Sequence, residues 1–259
     1  MAKRKKTIIA GPIVKTIIYT APEPQDGKRA RAEKSKMTSA AQKAMNDKTA
    51  RGRLEMLLAA NFVGRDIFLT LTYRDADIPS KRAEAVKKVR KFIKQLREYR
   101  KARGQVLKYV YTTEGKHGAG RLQHHLVINA TERDIEVIRS LWPYGDMIDL
   151  VYVRDRDYDT LARYMTKESV EGRPVGAQMW TRSRNLEQPV VESCFVPDDT
   201  ALAVPPGCFV LEREEKATEY GCYSYIKYRV PSWRQQQSRP EAASERSERT
   251  SQYLTCKYI

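Results

Sequence analysis

The sequence predicts an α+β fold of the ferredoxin-like (RRM-like) class for its central part, an antiparallel sheet with helices on one face. Three observations carry the prediction. Residues 66–73 alternate in polarity, an amphipathic helix follows from Pro79 to Arg103, and the elements then continue to residue 170 as strand, strand, helix, strand, helix. The chain of 259 residues is 41% hydrophobic, enough to fill a core of that size without disulfide staples.

The N-terminal part, residues 1–65, reads as a basic arm and a helix. Lys3, Arg4, Lys5 and Lys6 and the stretch from Gly27 to Lys36 look like a tail with one strand, Ile13 to Tyr19; such a tail either lies on phosphates or is solvated. From Thr38 to Ala60, Met45, Leu54, Leu57 and Leu58 suggest a helix that Ser39 caps.

The central domain is expected to span residues 66–195. In DIFLTLTY (66–73), Ile67, Leu69, Leu71 and Tyr73 share one face while Phe68, Thr70 and Thr72 share the other. In the next helix Val86, Val89, Phe92, Ile93, Leu96 and Tyr99 form the stripe that packs on the sheet. Its other side carries Lys87, Lys91 and Lys94 and is either a DNA-facing or a solvated surface. Leu107–Glu114 and Arg121–Asn129 read as strands joined by a Gly-rich turn at 115–120, Glu132–Leu141 as a short helix, Met147–Arg154 as a fourth strand and Asp157–Val170 as a helix. In residues 196–259, Cys208–Glu214 and Tyr223–Val230 suggest a hairpin, and the polar, breaker-rich stretch after Pro231 a disordered tail.

Lys and Arg number 48 against 32 Asp and Glu, a formal charge of +16, and the sequence pI is near 9.7. Such an excess points to a polyanionic partner, nucleic acid above all. No apolar run approaches the roughly 18 residues of a spanning helix, and the basic N-terminus lacks an apolar signal region, so no membrane partner and a cytoplasmic location are expected. Cys194, Cys208, Cys222 and Cys256 lack the close pairs of structural zinc sites and read as reduced. No GxxxxGK[ST] phosphate loop is present, so a host helicase is implied.

Strand parity locates the chemistry. On the third strand Leu122, His124, Leu126 and Ile128 turn inward, which turns Gln123 and His125 to the face that the helices leave open. On the second, Leu107, Tyr109 and Tyr111 point inward and Glu114 outward, so Glu114, Gln123 and His125 form one cluster. A carboxylate, an amide oxygen and an imidazole suit Mg²⁺ or Mn²⁺, the imidazole favouring Mn²⁺. The competing reading is a chance His pair in a strand. Tyr164 and Lys167, three residues apart on the last helix, lie about 60° apart around its axis and share an edge. The same spacing also occurs in ordinary surface packing.

Three ordered segments, FLTLTY (68–73), LQHHLVI (122–128) and YMTK (164–167), resemble the motifs of the HUH endonuclease superfamily, with Glu114 as the acidic residue before the second. Flanking runs, LLAANFVGRDIFLTLTY (57–73), ARYMTKE (162–168) and WTRSRNLEQP (180–189), are most similar to single-tyrosine rolling-circle replication initiators of Firmicutes plasmids and phage-like elements. The sequence departs from that family at Gln123, where it normally presents a histidine. The resemblance implies a bacterial replication initiator that nicks single-stranded DNA at a replication origin, with Tyr164 as nucleophile. Glu114, Gln123 and His125 would hold a divalent metal, and a 5′-phosphotyrosyl adduct would leave a 3′ hydroxyl for a host polymerase. Lys167 then either favours the phenolate or steadies the phosphate, and Phe68, Thr70 and Thr72 on the sheet face are candidates for DNA contact, Phe68 by stacking on a base. The rival readings are a relaxase or tyrosine transposase with the same chemistry, and a non-catalytic single-strand nucleic-acid-binding sheet.

Overall fold

Runs of alternating polarity become strands here, and apolar residues at helical spacing become the helices packed on them. The computed structural model describes residues 2–21, 40–115, 121–131, 133–145, 148–154, 158–167, 178–218 and 221–231. Along the chain lie β1 (Ala2–Ala10), β2 (Ile13–Ala21), α1 (Ala40–Asn61), β3 (Ile67–Leu71), α2 (Arg82–Lys101), β4 (Tyr109–Glu114) and β5 (Gln123–Ile128). They are followed by α3 (Asp134–Leu141), β6 (Ile148–Tyr152), α4 (Tyr158–Met165), β7 (Thr181–Arg182), β8 (Val190–Val196), β9 (Phe209–Thr218) and β10 (Gly221–Arg229). Two compact units divide the chain: residues 32–188 form one, and residues 1–31 with 189–259 form the other.

In the unit formed by residues 32–188, the sheet order is β6-β3-β5-β4-β7, with antiparallel neighbours throughout. Strand β5 is inserted between β3 and β4, the arrangement the ferredoxin-like order requires, so the α+β expectation stands. Ile67, Leu69, Leu71, Tyr73, Tyr109, Tyr111, Leu126 and Ile128 project to one side and pack with Ala85, Val89, Phe92, Ile93 and Leu96 of α2 and with Ile138 and Trp142. Burying such side chains is worth about 1.5–3 kcal/mol each and fixes the register, because a one-residue slip would turn the whole apolar set to the other side. Arg100, at the end of α2, is fully buried as well, its guanidinium bonded to Asp134 and Asn129, both at 2.8 Å.

The expectation of an open second face is corrected. Val110, Val127 and His125 belong to that face by parity and are fully buried. Tyr158 is buried at the start of α4, and its hydroxyl donates to the Phe62 carbonyl just past α1 at 2.7 Å. Arg51 on α1 donates to the Thr166 hydroxyl just past α4 at 3.1 Å. The apolar side of α1, Leu54, Leu57 and Leu58, thus belongs to the central unit rather than to a flanking arm. Met45, expected on that apolar side, is exposed.

The other unit overturns the reading of residues 3–6 as a tail. They lie in β1, which pairs antiparallel with β2 on one side and β8 on the other, and β10 and β9 extend the sheet to the order β8-β1-β2-β10-β9. Backbone bonding on both sides outweighs the poor strand propensity of a lysine run, and Gly11 supplies the left-handed turn between β1 and β2 (φ 53°). The expected C-terminal hairpin is present as β9 and β10. Cys194, Cys208 and Cys222 are free thiols. The basic stretch at 27–36, Ser39, most of the Gly-rich turn and the polar tail after residue 231 lie outside the described residues.

Candidate active site

β5 sends two adjacent histidines to opposite sides of the sheet, and their surroundings differ accordingly. His124 faces the core, where the Tyr73 hydroxyl lies 2.7 Å from Nε2 and the Thr113 hydroxyl 2.9 Å from Nδ1. Burial, with the Arg82 and His125 charges, pushes its pKa down to about 3, so the ring is neutral and structural.

His125 faces the other way. Its Nε2 lies 2.7 Å from Glu114 Oε2 and its Nδ1 3.2 Å from the Thr70 hydroxyl. Burial holds its pKa below the usual value despite the Glu114 carboxylate. The neutral imidazole therefore donates Nε2–H to Glu114 and accepts from Thr70 at Nδ1. Gln123 Nε2 donates to the same carboxylate oxygen at 2.9 Å, and the Lys167 ammonium lies 3.4 Å from it. Burial alone would raise the Glu114 pKa, but the bonds from His125 and Gln123 and the charge of Lys167 prevail and lower it. Three of the sequence-predicted residues and Lys167 therefore converge on one carboxylate oxygen.

Tyr164 joins them through its ring. Its centroid is 5.0 Å from that of His125 and 5.6 Å from that of Phe68, edge to face in both cases. Lys167 Nζ lies 4.2 Å from the Tyr164 centroid. Helix α4 ends at Met165, so Lys167 lies just past the helix, with its backbone N–H bonded to the Tyr164 carbonyl at 3.3 Å. Tyr164 is 41% exposed, whereas Tyr158, the other tyrosine of α4, is buried and bonded to backbone.

The remaining candidates fall elsewhere. Phe68 stacks on the His125 ring at 5.8 Å. Thr70 is buried with its hydroxyl on His125, so it orients the imidazole. Thr72 lies past the end of β3, where its carbonyl accepts from the Trp142 indole at 2.8 Å. Lys87, Lys91 and Lys94 are exposed on α2, across the sheet from His125. Sequence reasoning missed Thr70 as the partner of His125, and it missed α1 as the support of the Tyr164 helix. The uninterrupted apolar run from Leu57 to Ala60 was the available signal for α1.

The donor set fits a divalent cation. Among the described residues no group of three His, Cys, Asp or Glu is placed to hold a metal, so a third ligand must be the Gln123 amide. Ligation needs the Gln123 oxygen turned inward and the His125 proton moved to Nδ1. Thr70 can accept that proton, because a hydroxyl both donates and accepts. The neutrality of His125 is the state a metal requires.

Residues 66–169 match a family model for the replication-associated protein ORF2. No curated protein and no solved structure matches the chain. The family match supports a replication-initiator role with DNA as partner. No helix among the described residues is long and apolar enough to cross a membrane.

Proposed function

We propose that the chain is a rolling-circle replication initiator of the HUH type, which nicks single-stranded origin DNA by transesterification to Tyr164. The observation that carries this reading is the convergence of Gln123, His125 and Lys167 on Glu114 Oε2, with the exposed Tyr164 ring against both His125 and Lys167. Packing alone gives no reason for a surface tyrosine, a lysine and a carboxylate to meet a buried neutral imidazole.

In the reaction the Tyr164 oxygen attacks the phosphorus of the scissile phosphodiester. A bond forms between that oxygen and phosphorus, the bond from phosphorus to the 3′ oxygen breaks, the phenol proton is released and the 3′ oxygen takes up a proton. The product is a 5′-phosphotyrosyl adduct and a 3′ hydroxyl, and the energy of the broken ester is kept for rejoining. Mg²⁺ or Mn²⁺ held by Glu114, Gln123 and His125 would neutralise phosphate charge and polarise the ester. Lys167 stands between the tyrosyl ring and the carboxylate, where its charge favours phenolate over phenol and attracts the phosphate. His125, locked by Thr70, keeps the donor atoms oriented. Lys87, Lys91 and Lys94, on the far side of the sheet, add salt-dependent attraction for DNA rather than contacts at the cut.

The test is incubation with single-stranded DNA from the cognate replicon and Mn²⁺, followed by a denaturing gel. A covalent species that wild type forms and a Tyr164→Phe chain does not is the expected result; no species with the cognate strand would sink the proposal.

A further inference from the structure

The sheet of the second unit has two unlike faces. Val14, Thr16, Ile18, Ile226 and Tyr228 line one and are buried, with Leu202 and Val204 packed near them. Strand pairing aligns on the other face a row that crosses all five strands: Phe195, Arg4, Tyr19, Tyr223 and Lys216. Two residues further along, Tyr225 stands beside Ile17, with Lys6 one strand beyond. Tyr19, Tyr223 and Tyr225 are half-buried and Phe195 is 49% exposed. The Arg4 guanidinium lies 5.6 Å from the Phe195 centroid and its Nε donates to Ser193 at 2.7 Å.

Charge on this face is graded. At the β9 edge Lys216 and Lys227 meet Glu214 and Glu212 at 2.5 and 3.2 Å. At the β1–β2 side Arg4, Lys6 and Lys15 belong to the same face with no acidic residue beside them in the register. Aromatic rings half open to solvent, with cations along one flank, match a polyanion whose flat bases are unpaired. A duplex hides those faces, and an apolar protein partner has no use for the cations.

We propose that this face binds single-stranded DNA, bases stacking on Tyr19, Tyr223 and Tyr225 while phosphates run along Arg4 and Lys6. Two strand rises, about 6.7 Å, separate Tyr223 from Tyr225, twice the roughly 3.4 Å between stacked bases, so successive bases meet separate rings. The choice of DNA over RNA rests on the reading of the other unit as a DNA-nicking centre; the stacking and charge arguments do not. The sheet is a second, sequence-tolerant hold on the strand that the other unit cuts.

The test uses the full chain carrying Tyr164→Phe, so that cutting does not consume the probe, and an oligothymidylate substituted with 5-iododeoxyuridine. Illumination and peptide mapping are expected to place crosslinks on Tyr19, Tyr223, Tyr225 or Phe195; crosslinks confined to residues 32–188 overturn the proposal. In anisotropy titrations Tyr19→Leu with Tyr223→Leu lowers affinity about tenfold at unchanged salt slope, while the paired Phe substitutions retain it. Arg4→Gln with Lys6→Gln flattens the dependence of affinity on salt. Wild-type affinity in the paired Leu chain, equal competition by duplex, or tighter binding of oligouridylate overturns the assignment. Adduct formation by a Tyr164 chain separates the two readings: adduct without sheet crosslinks fails the sheet alone, and sheet crosslinks without adduct fail the nicking centre alone.

Discussion

His124 and His125 are neighbours in sequence, equally buried, both neutral and both bonded at each ring nitrogen, yet the two sides of the sheet give them different work. On the α2 side His124 meets only hydroxyls, Tyr73 and Thr113, which close its hydrogen bonds within the core. On the α4 side His125 meets a carboxylate that also holds an amide and an ammonium, at the foot of an exposed tyrosine. Burial and neutrality therefore do not distinguish a structural histidine from a functional one; the charge and exposure of its partners do.

Substitution at Tyr164 strikes the functional side of this contrast hardest. Tyr164→Phe is expected to reduce covalent adduct formation on the order of a thousandfold or more, because the nucleophile is removed, while the melting temperature stays near wild type; adduct in that chain would move the nucleophile elsewhere. Next, Glu114→Gln keeps the shape but removes the charge on which His125, Gln123 and Lys167 converge. Strand cleavage should fall about a hundredfold or more, read by single-turnover kinetics at several Mn²⁺ concentrations.

His124→Ala should do the reverse. It leaves a cavity and strands the hydroxyls of Tyr73 and Thr113, so stability drops by about 2–4 kcal/mol in denaturant titration, and cleavage per folded molecule is retained. The same pair of chains tests the protonation state. His124 titrates near the ordinary histidine value of 6.5 when unfolded and at about 3 when folded, so below pH 6.5 the unfolded chain takes up a proton that the folded chain refuses. Its contribution is intact above pH 6.5 and is lost as pH falls towards 3, at about 1.4 kcal/mol per pH unit. Wild type should show that slope in excess of His124→Ala; parallel pH profiles would place the proton elsewhere. The smallest effect is expected from Gln123→His, which supplies a better donor for Mn²⁺ and should lower the Mn²⁺ concentration for half-maximal cleavage several-fold, measured by metal titration.

Strand parity was legible because one strand face of this sheet is uniformly apolar: Leu122, Leu126 and Ile128 settle where Gln123 and His125 must point. The order of elements from 66 to 165 was legible for the same reason, since each element carries its own period. Coverage of the second face was not, because Val110 and Val127 look like ordinary alternation until α4 is known to lie against His125. Helical spacing makes Lys167 share an edge with Tyr164; its reach to Glu114 depends instead on α4 ending at Met165, a tertiary fact. The five-stranded sheet was the least legible. β1 pairs with β8 across more than 180 residues, and nothing local in a run of four basic residues announces such a partner.

That long pairing has a consequence for biosynthesis. Residues 32–188 leave the ribosome as a continuous block with all their own strands and can close their core on local contacts. The hairpin of β1 and β2 emerges first but gains its outer neighbours only when β8, β9 and β10 have been made. A unit assembled from the two flanks of the chain acquires its high contact order late and slowly, so the nascent protein carries a finished cutting centre before it carries a finished sheet.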